Sequence, residues 1–286
     1  MTCPSRLHAR YVPLIFLVGL LFLGGCFEMQ EEWDQEEVDK LRITEVDRSP
    51  AIEGITTSIE SIEDGAVLDS ANVSAVVTAD NFETGVQTDT ERADSLANSD
   101  KGQHFHLILD NKPYMANYSA GEPFELGELE PGVHTLVAFP SRSYHESVKG
   151  AGAYAFPGAY KTYDFVNFYV KEKTGEPMLN TDDPAVLYSR PKGTYSGDDA
   201  DRILVDFYLH NVELSNKGYK VRFAVMSQKS GTQFARTFTE WRPAYITGTS
   251  SGTYEVTLQL LDKNGDVVPG PTNNDTTRTF VVENSN

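Results

Sequence analysis

Cysteine is nearly missing from this chain: there are two in 286 residues, Cys3 and Cys26, and none after position 26. That excludes a disulfide framework and thiolate zinc or redox sites from everything downstream. Long apolar runs are also scarce. The longest, Val12 to Leu23, is broken by Pro13 and Gly19 and falls short of the ~20 residues that cross a bilayer. Cations are outnumbered, with 24 Lys and Arg against 42 Asp and Glu for a net charge of −18. Such a surface repels phosphate backbones, so no nucleic-acid partner is expected. No HExxH element or Gly-rich phosphate loop occurs, and no Ser or Cys sits in a readable nucleophile motif. Catalysis is therefore not expected.

What is present at the N-terminus is a targeting pattern. Arg6, His8 and Arg10 precede the Val12–Leu23 run, which ends in Leu23-Gly24-Gly25-Cys26. This resembles the lipobox of bacterial lipoproteins, with residues 1–25 as signal peptide and Cys26 as the lipidation site. A membrane partner through that anchor follows, at the outer membrane, on its periplasmic side or on the cell surface. Residues 26–52, rich in Glu and Asp, read as an acidic tether without a core face.

From Ile55 onward the pattern becomes short β-type runs punctuated by Gly, Pro, Asn and Asp. Seven candidate strands between Ile55 and Val170 suit an immunoglobulin-like sandwich over 53–172, with strands A, B, C, C′, E, F and G. Residues 173–184 read as a linker, and a second strand set fills 185–286. The fold class is thus all-β, two tandem immunoglobulin-like β-sandwich domains. Asn264-Gly265 marks a tight turn. Asp262, Asn264 and Asp266 imitate a calcium loop, but its twelfth position is Asn273 rather than Glu.

The two halves resemble each other. Gly102-Gln-His-Phe-His-Leu-Ile-Leu aligns with Gly218-Tyr-Lys-Val-Arg-Phe-Ala-Val, and Gly132-Val-His-Thr-Leu-Val-Ala with Gly252-Thr-Tyr-Glu-Val-Thr-Leu. Strand alternation then directs Phe105, Leu107 and Leu109 into the core and places His104 and His106 together on the outer face of strand C. Their counterparts, Lys220 and Arg222, are charged, so the first reading of both histidines is as exposed surface side chains. His134 aligns with Tyr254 at the tyrosine-corner position and reads as structural, as does Tyr254 itself.

Strands C and F run antiparallel, so His104 and His106 approach the loop after Phe139, which carries Arg142, Tyr144 and His145. The B–C loop, 81–103, and the F–G loop, 140–163, open at the same end, and loops of that length are commonly functional. The apolar stretch 150–160 reads as a lid or interdomain contact.

The segments 102–114, 141–147, 188–193 (Tyr-Ser-Arg-Pro-Lys-Gly) and 241–246 (Trp-Arg-Pro-Ala-Tyr-Ile) resemble uncharacterised Ig-like lipoproteins of Bacteroidota, some of which carry a generic phosphopeptide-binding label. The resemblance implies location and architecture and brings no catalytic residue with it.

Three functions remain. One is an envelope binding protein taking a glycan, peptide or envelope protein at His104, His106, Arg142, Tyr144 and His145. Another holds Cu or Zn through His104, His106 and His145. The last is a structural component without a ligand.

Overall fold

A computed structural model describes residues 41–150 and 162–283. The signal segment, Cys26, most of the acidic tether and the stretch 151–160 lie outside the described residues. In chain order the strands are β1 (Arg42–Glu45), β2 (Thr56–Ile59), β3 (Val67–Leu68), β4 (Asn72–Asp80), β5 (His104–Leu109), β6 (Met115–Asn117), β7 (Pro123–Glu128), β8 (Gly132–Ser141) and β9 (Asp164–Val170). The second half continues with β10 (Ala185–Arg190), β11 (Gly193–Ser196), β12 (Ile203–His210), β13 (Lys220–Ser227), β14 (Gln233–Phe238), β15 (Ala244–Thr247), β16 (Gly252–Leu261) and β17 (Asn274–Glu283).

Each half is an immunoglobulin-like sandwich. In the first, β2-β4-β7 faces β3-β9-β8-β5-β6, which is the A-B-E sheet against A′-G-F-C-C′. In the second, β11-β17-β16-β13-β14 repeats the A′-G-F-C-C′ order, and β10, β12 and β15 supply A, B and E. Alternation builds the first core: Phe105, Leu107 and Leu109 from β5 meet Leu136 and Ala138 from β8 and Val73, Ala75 and Val77 from β4.

The fourth strand of the second A-B-E sheet comes from upstream of the first sandwich. β1 pairs antiparallel with β15, Ile43 opposite Ile246 and Thr44 opposite Tyr245. This corrects the tether reading for its described part, 41–52. Leu41 and Ile43 are 3% exposed and belong to the second sandwich's core. Their run is too short and too charged at its flanks to announce a strand, and only an unpaired sheet edge makes it one. The chain therefore enters through the second sandwich, builds the first and then returns.

That route presses the two together as one unit. The outer face of β8 packs on the outer face of β12, where the Phe139 and Tyr208 rings stack at 4.4 Å. Every residue of β12 is consequently buried. Leu179, placed by sequence in an open linker, is buried in the same cluster. Polar contacts lock the seam. Asp206 of β12, fully buried, accepts from Lys149 Nζ at 2.7 Å and from Ser147 Oγ at 3.0 Å.

Two stability predictions follow from this arrangement. Ile43→Ala should cost about 3 kcal/mol in urea unfolding, while Thr44→Ala on the exposed side of β1 costs under ~1 kcal/mol. Equal effects would mean that β1 is not part of the core. Asp206→Asn should cost roughly 3–5 kcal/mol, since it strands the Lys149 cation in the seam; a loss below about 1 kcal/mol would contradict the clamp.

Candidate metal centre between the sandwiches

His104 and His106 are not surface side chains: both are 0% exposed. Strand phase alone turns them outward, but the outward face is here covered by the second sandwich. Their counterparts Lys220 and Arg222 stay partly open. His145 follows β8 in the turn where its own N–H bonds the Arg142 carbonyl. At φ 69° it occupies the left-handed region, which a residue with a Cβ enters only when its surroundings hold it there.

The three rings converge. His104 Nε2 lies 3.1 Å from His106 Nε2 and 3.1 Å from His145 Nδ1, and one nitrogen of each ring lies within 4.8 Å of the other two. Gly102 sets the starting point. Its carbonyl accepts from His104 Nδ1 at 2.9 Å, so His104 Nε2 is a bare lone pair. Gly102 has φ 82°, and a side chain there would run into the Val86 carbonyl, so the B–C loop holds that acceptor against β5. Without an ion, the other two rings satisfy the lone pair by donating to it, and Ser189 Oγ donates to His106 Nδ1 at 3.2 Å. Binding an ion requires only that His106 and His145 move their protons to their other nitrogens; His106 Nδ1 then donates to Ser189. No proton leaves the protein in that exchange, so its own charge is unchanged.

The distances fit an ion of the first transition row. At bond lengths of ~2.05 Å, a nitrogen separation of 3.1 Å subtends about 100° at the ion. The His106–His145 edge, 4.8 Å at most, must be ~4.1 Å or less around a common ion. His145, the least buried of the three, has the freedom to close it.

The surroundings keep the rings neutral, which is the ligating form. Burial holds His104 down at about 4 and pushes His106 and His145 well below the ordinary histidine range. The Arg190 and Lys192 cations of the second sandwich act in the same direction on all three. Tyr114 stacks on His106 at 3.5 Å with 12° between the rings, and its hydroxyl lies 3.4 Å from His145 Nδ1. Tyr118 lies 4.7 Å from the His104 ring.

The other sequence candidates go elsewhere. Arg142 is 7% exposed and gives its guanidinium to the Pro50 carbonyl. Tyr144, 0% exposed, hydrogen-bonds Ser49 at 2.6 Å beside Glu146, which is itself paired with Arg92 at 2.7 Å. The expected open ligand face of Arg142 and Tyr144 is therefore corrected: both pin the strap 47–50, and Tyr144 packs with Leu96 and Leu204. His134 bonds the Glu130 carbonyl at 2.8 Å and Asp110 at 2.7 Å. Tyr254 bonds the Ser250 carbonyl at 2.9 Å, the same four-residue reach.

Sequence reasoning missed Tyr114, Ser189, Arg190 and Lys192 as neighbours of the cluster. The signal at hand was the segment 188–193, set apart for its resemblance but not connected to the histidines.

No family model matches the chain, and no curated protein matches it. Among solved structures it is similar to the fibronectin(III)-like modules of Clostridium thermocellum CbhA, with 14% identity, 80% of this chain and 95% of that chain covered, and TM-score 0.26. It is similar to Bacteroides ovatus SGBP-B of a mixed-linkage glucan utilization locus, solved with a heptasaccharide, at 13% identity and TM-score 0.21. That match covers 80% of this chain and 47% of the other, so the chain spans about half of that neighbour's length. The chicken interferon gamma receptor alpha chain matches at 13% identity and TM-score 0.25, with 81% and 99% covered. Likeness at this level extends to no site residue.

The buried rings make stability depend on pH in the metal-free protein. Folded, they stay neutral down to about 4 at His104; unfolded, each takes a proton near 6.5. The unfolded state thus binds more protons below ~6.5, so the contribution is full above that pH and drains away as pH falls, by up to ~1.4 kcal/mol per unit for each ring. His104→Gln should flatten the slope between pH 6 and 4.5 by about that amount. An unchanged slope would show that the ring is not held neutral.

Proposed function

We propose that this protein is a lipid-anchored metal-binding protein of the cell envelope, holding Cu(II) or Zn(II) at His104, His106 and His145. The observation that carries the reading is the bare Nε2 of His104 with a second imidazole nitrogen 3.1 Å away on either side. A borderline divalent ion suits an all-imidazole set. Second-sphere bonds from Gly102 and Ser189 hold two of the rings, the usual support for ligating histidines. The absence of cysteine after Cys26 and of methionine clusters speaks against a Cu(I) role. The Leu23–Cys26 pattern supports anchoring through Cys26 at the outer membrane. The role is binding rather than catalysis.

A glycan or peptide site at the loop end is less well supported, because Arg142 and Tyr144 are spent on internal bonds. Calorimetric titration of the purified protein with Cu(II) and Zn(II) tests the proposal. Micromolar or tighter binding at one ion per chain is expected, lowered roughly 100-fold by His104→Ala or His145→Ala and roughly 10-fold by Ser189→Ala. No micromolar binding, or binding indifferent to both histidine variants, would sink it.

A further inference from the structure

Outside the histidine cluster the structure holds a cleft of about 550 Å³. It lies between the strap that follows β1 and the loops that join β12 to β13 and β14 to β15. None of the three clustered histidines lines it, and neither do Arg142 and Tyr144. Small-molecule sites span ~300–1,000 Å³, so the volume suits one. The floor is apolar, built from buried Trp241, Leu209, Val212 and Leu214. The indole is fixed in place, since its Nε1 donates to the Phe207 carbonyl at 2.9 Å.

The walls are fixed as well. On the strap side, the Val46 N–H donates to the Pro243 carbonyl at 3.0 Å and Ser49 Oγ lies 2.6 Å from the Tyr144 hydroxyl. Opposite, the Ser215 N–H donates to the Tyr219 carbonyl at 3.0 Å. Walls bonded before a ligand arrives lose little entropy when it binds.

The rim carries both signs of charge in balance. Arg242 donates Nε to Glu240 at 2.6 Å and Nη1 to Asp47 at 3.0 Å. Arg48 offsets the second of these carboxylates, and Lys149 is neutralised from behind by Asp206 at 2.7 Å. An anion there meets Asp47 and Glu240, and a cation meets Arg48 and Arg242, so neither is favoured. Hydrogen-bonding capacity is left over. Among the described residues the side chains of Arg48, Asn216 and Thr239 have no hydrogen-bond partner, and Asp47 and Glu240 each keep one oxygen that accepts from none. Free donors and free acceptors thus stand over an apolar floor.

We propose that this cleft binds a short neutral saccharide. A sugar ring has an apolar C–H face for the floor and a rim of hydroxyls, each both donor and acceptor, for the mixed groups above it. Apart from Leu209 the lining is loop, so no run of strand edge is offered to a peptide. Binding breaks no bond and uses no histidine of the cluster, so the proposal stands or falls independently of the metal centre.

Calorimetry on the full chain measures the affinity, and tryptophan emission locates the ligand. The chain has two tryptophans, Trp33 and Trp241, so a Trp33→Phe background reports the cleft alone. The probes are neutral disaccharides of glucose, galactose, mannose and N-acetylglucosamine, with digalacturonate and trialanine for comparison. At least one neutral disaccharide should bind with a millimolar or tighter Kd and shift the Trp241 emission. Arg48→Ala and Asn216→Ala remove side chains that bond nothing else in the described fold, and each should weaken that binding roughly tenfold. No binding of any neutral disaccharide, binding that leaves Trp241 emission or both variants' affinities unaltered, or tighter binding of digalacturonate or trialanine would overturn the saccharide site and leave the metal centre untouched.

Discussion

The pairing of β1 with β15 is the constraint on which the rest depends. A strand that precedes the first sandwich completes the second, so the two cannot separate without opening a sheet edge. From β1 the chain crosses directly to the first sandwich over the strap 47–50, which Tyr144, Glu146, Arg92 and Arg142 grip. The outer face of the first C–F sheet is thereby held against β12. Residues that strand geometry turns toward solvent become interior, and the histidines are the most consequential of them.

Burial at that seam decides the chemistry. An exposed histidine pair titrates near neutrality and competes for ions as any surface imidazole does. Here burial, aided by Arg190 and Lys192, keeps the rings neutral well into the acid range. Gly102 fixes the tautomer of His104, and Ser189 reaches across from the other sandwich to His106. The second sandwich thus supplies the cover, the second-sphere bond and the positive charge, while the first supplies the ligands. Neither half alone contains the centre.

The fold was largely legible in the sequence, because strand alternation and turn residues are local signals. Phe105, Leu107 and Leu109 occupy the core that their phase assigns, and the internal repeat places the equivalent strands of both halves. The convergence of His104, His106 and His145 was visible as a consequence of antiparallel C and F strands. What no local pattern carries is the packing of one sandwich on the other. That packing buries His104 and His106, turns Tyr144 and Arg142 into structural groups and brings 188–193 to the site. The strand at 42–45 was missed for a related reason: its four residues become a strand only because an edge 200 positions later needs a partner.

The most direct test is the anomalous scattering of crystals grown with Cu(II) or Zn(II). A single strong peak per chain is expected at ~2.0–2.1 Å from His104 Nε2, His106 Nε2 and His145 Nδ1, with the His106–His145 edge drawn in from its present spacing of up to 4.8 Å. A peak elsewhere, or no peak while the rings stay bonded to one another at 3.1 Å, would contradict the account and leave the histidines as a buried hydrogen-bonded seam.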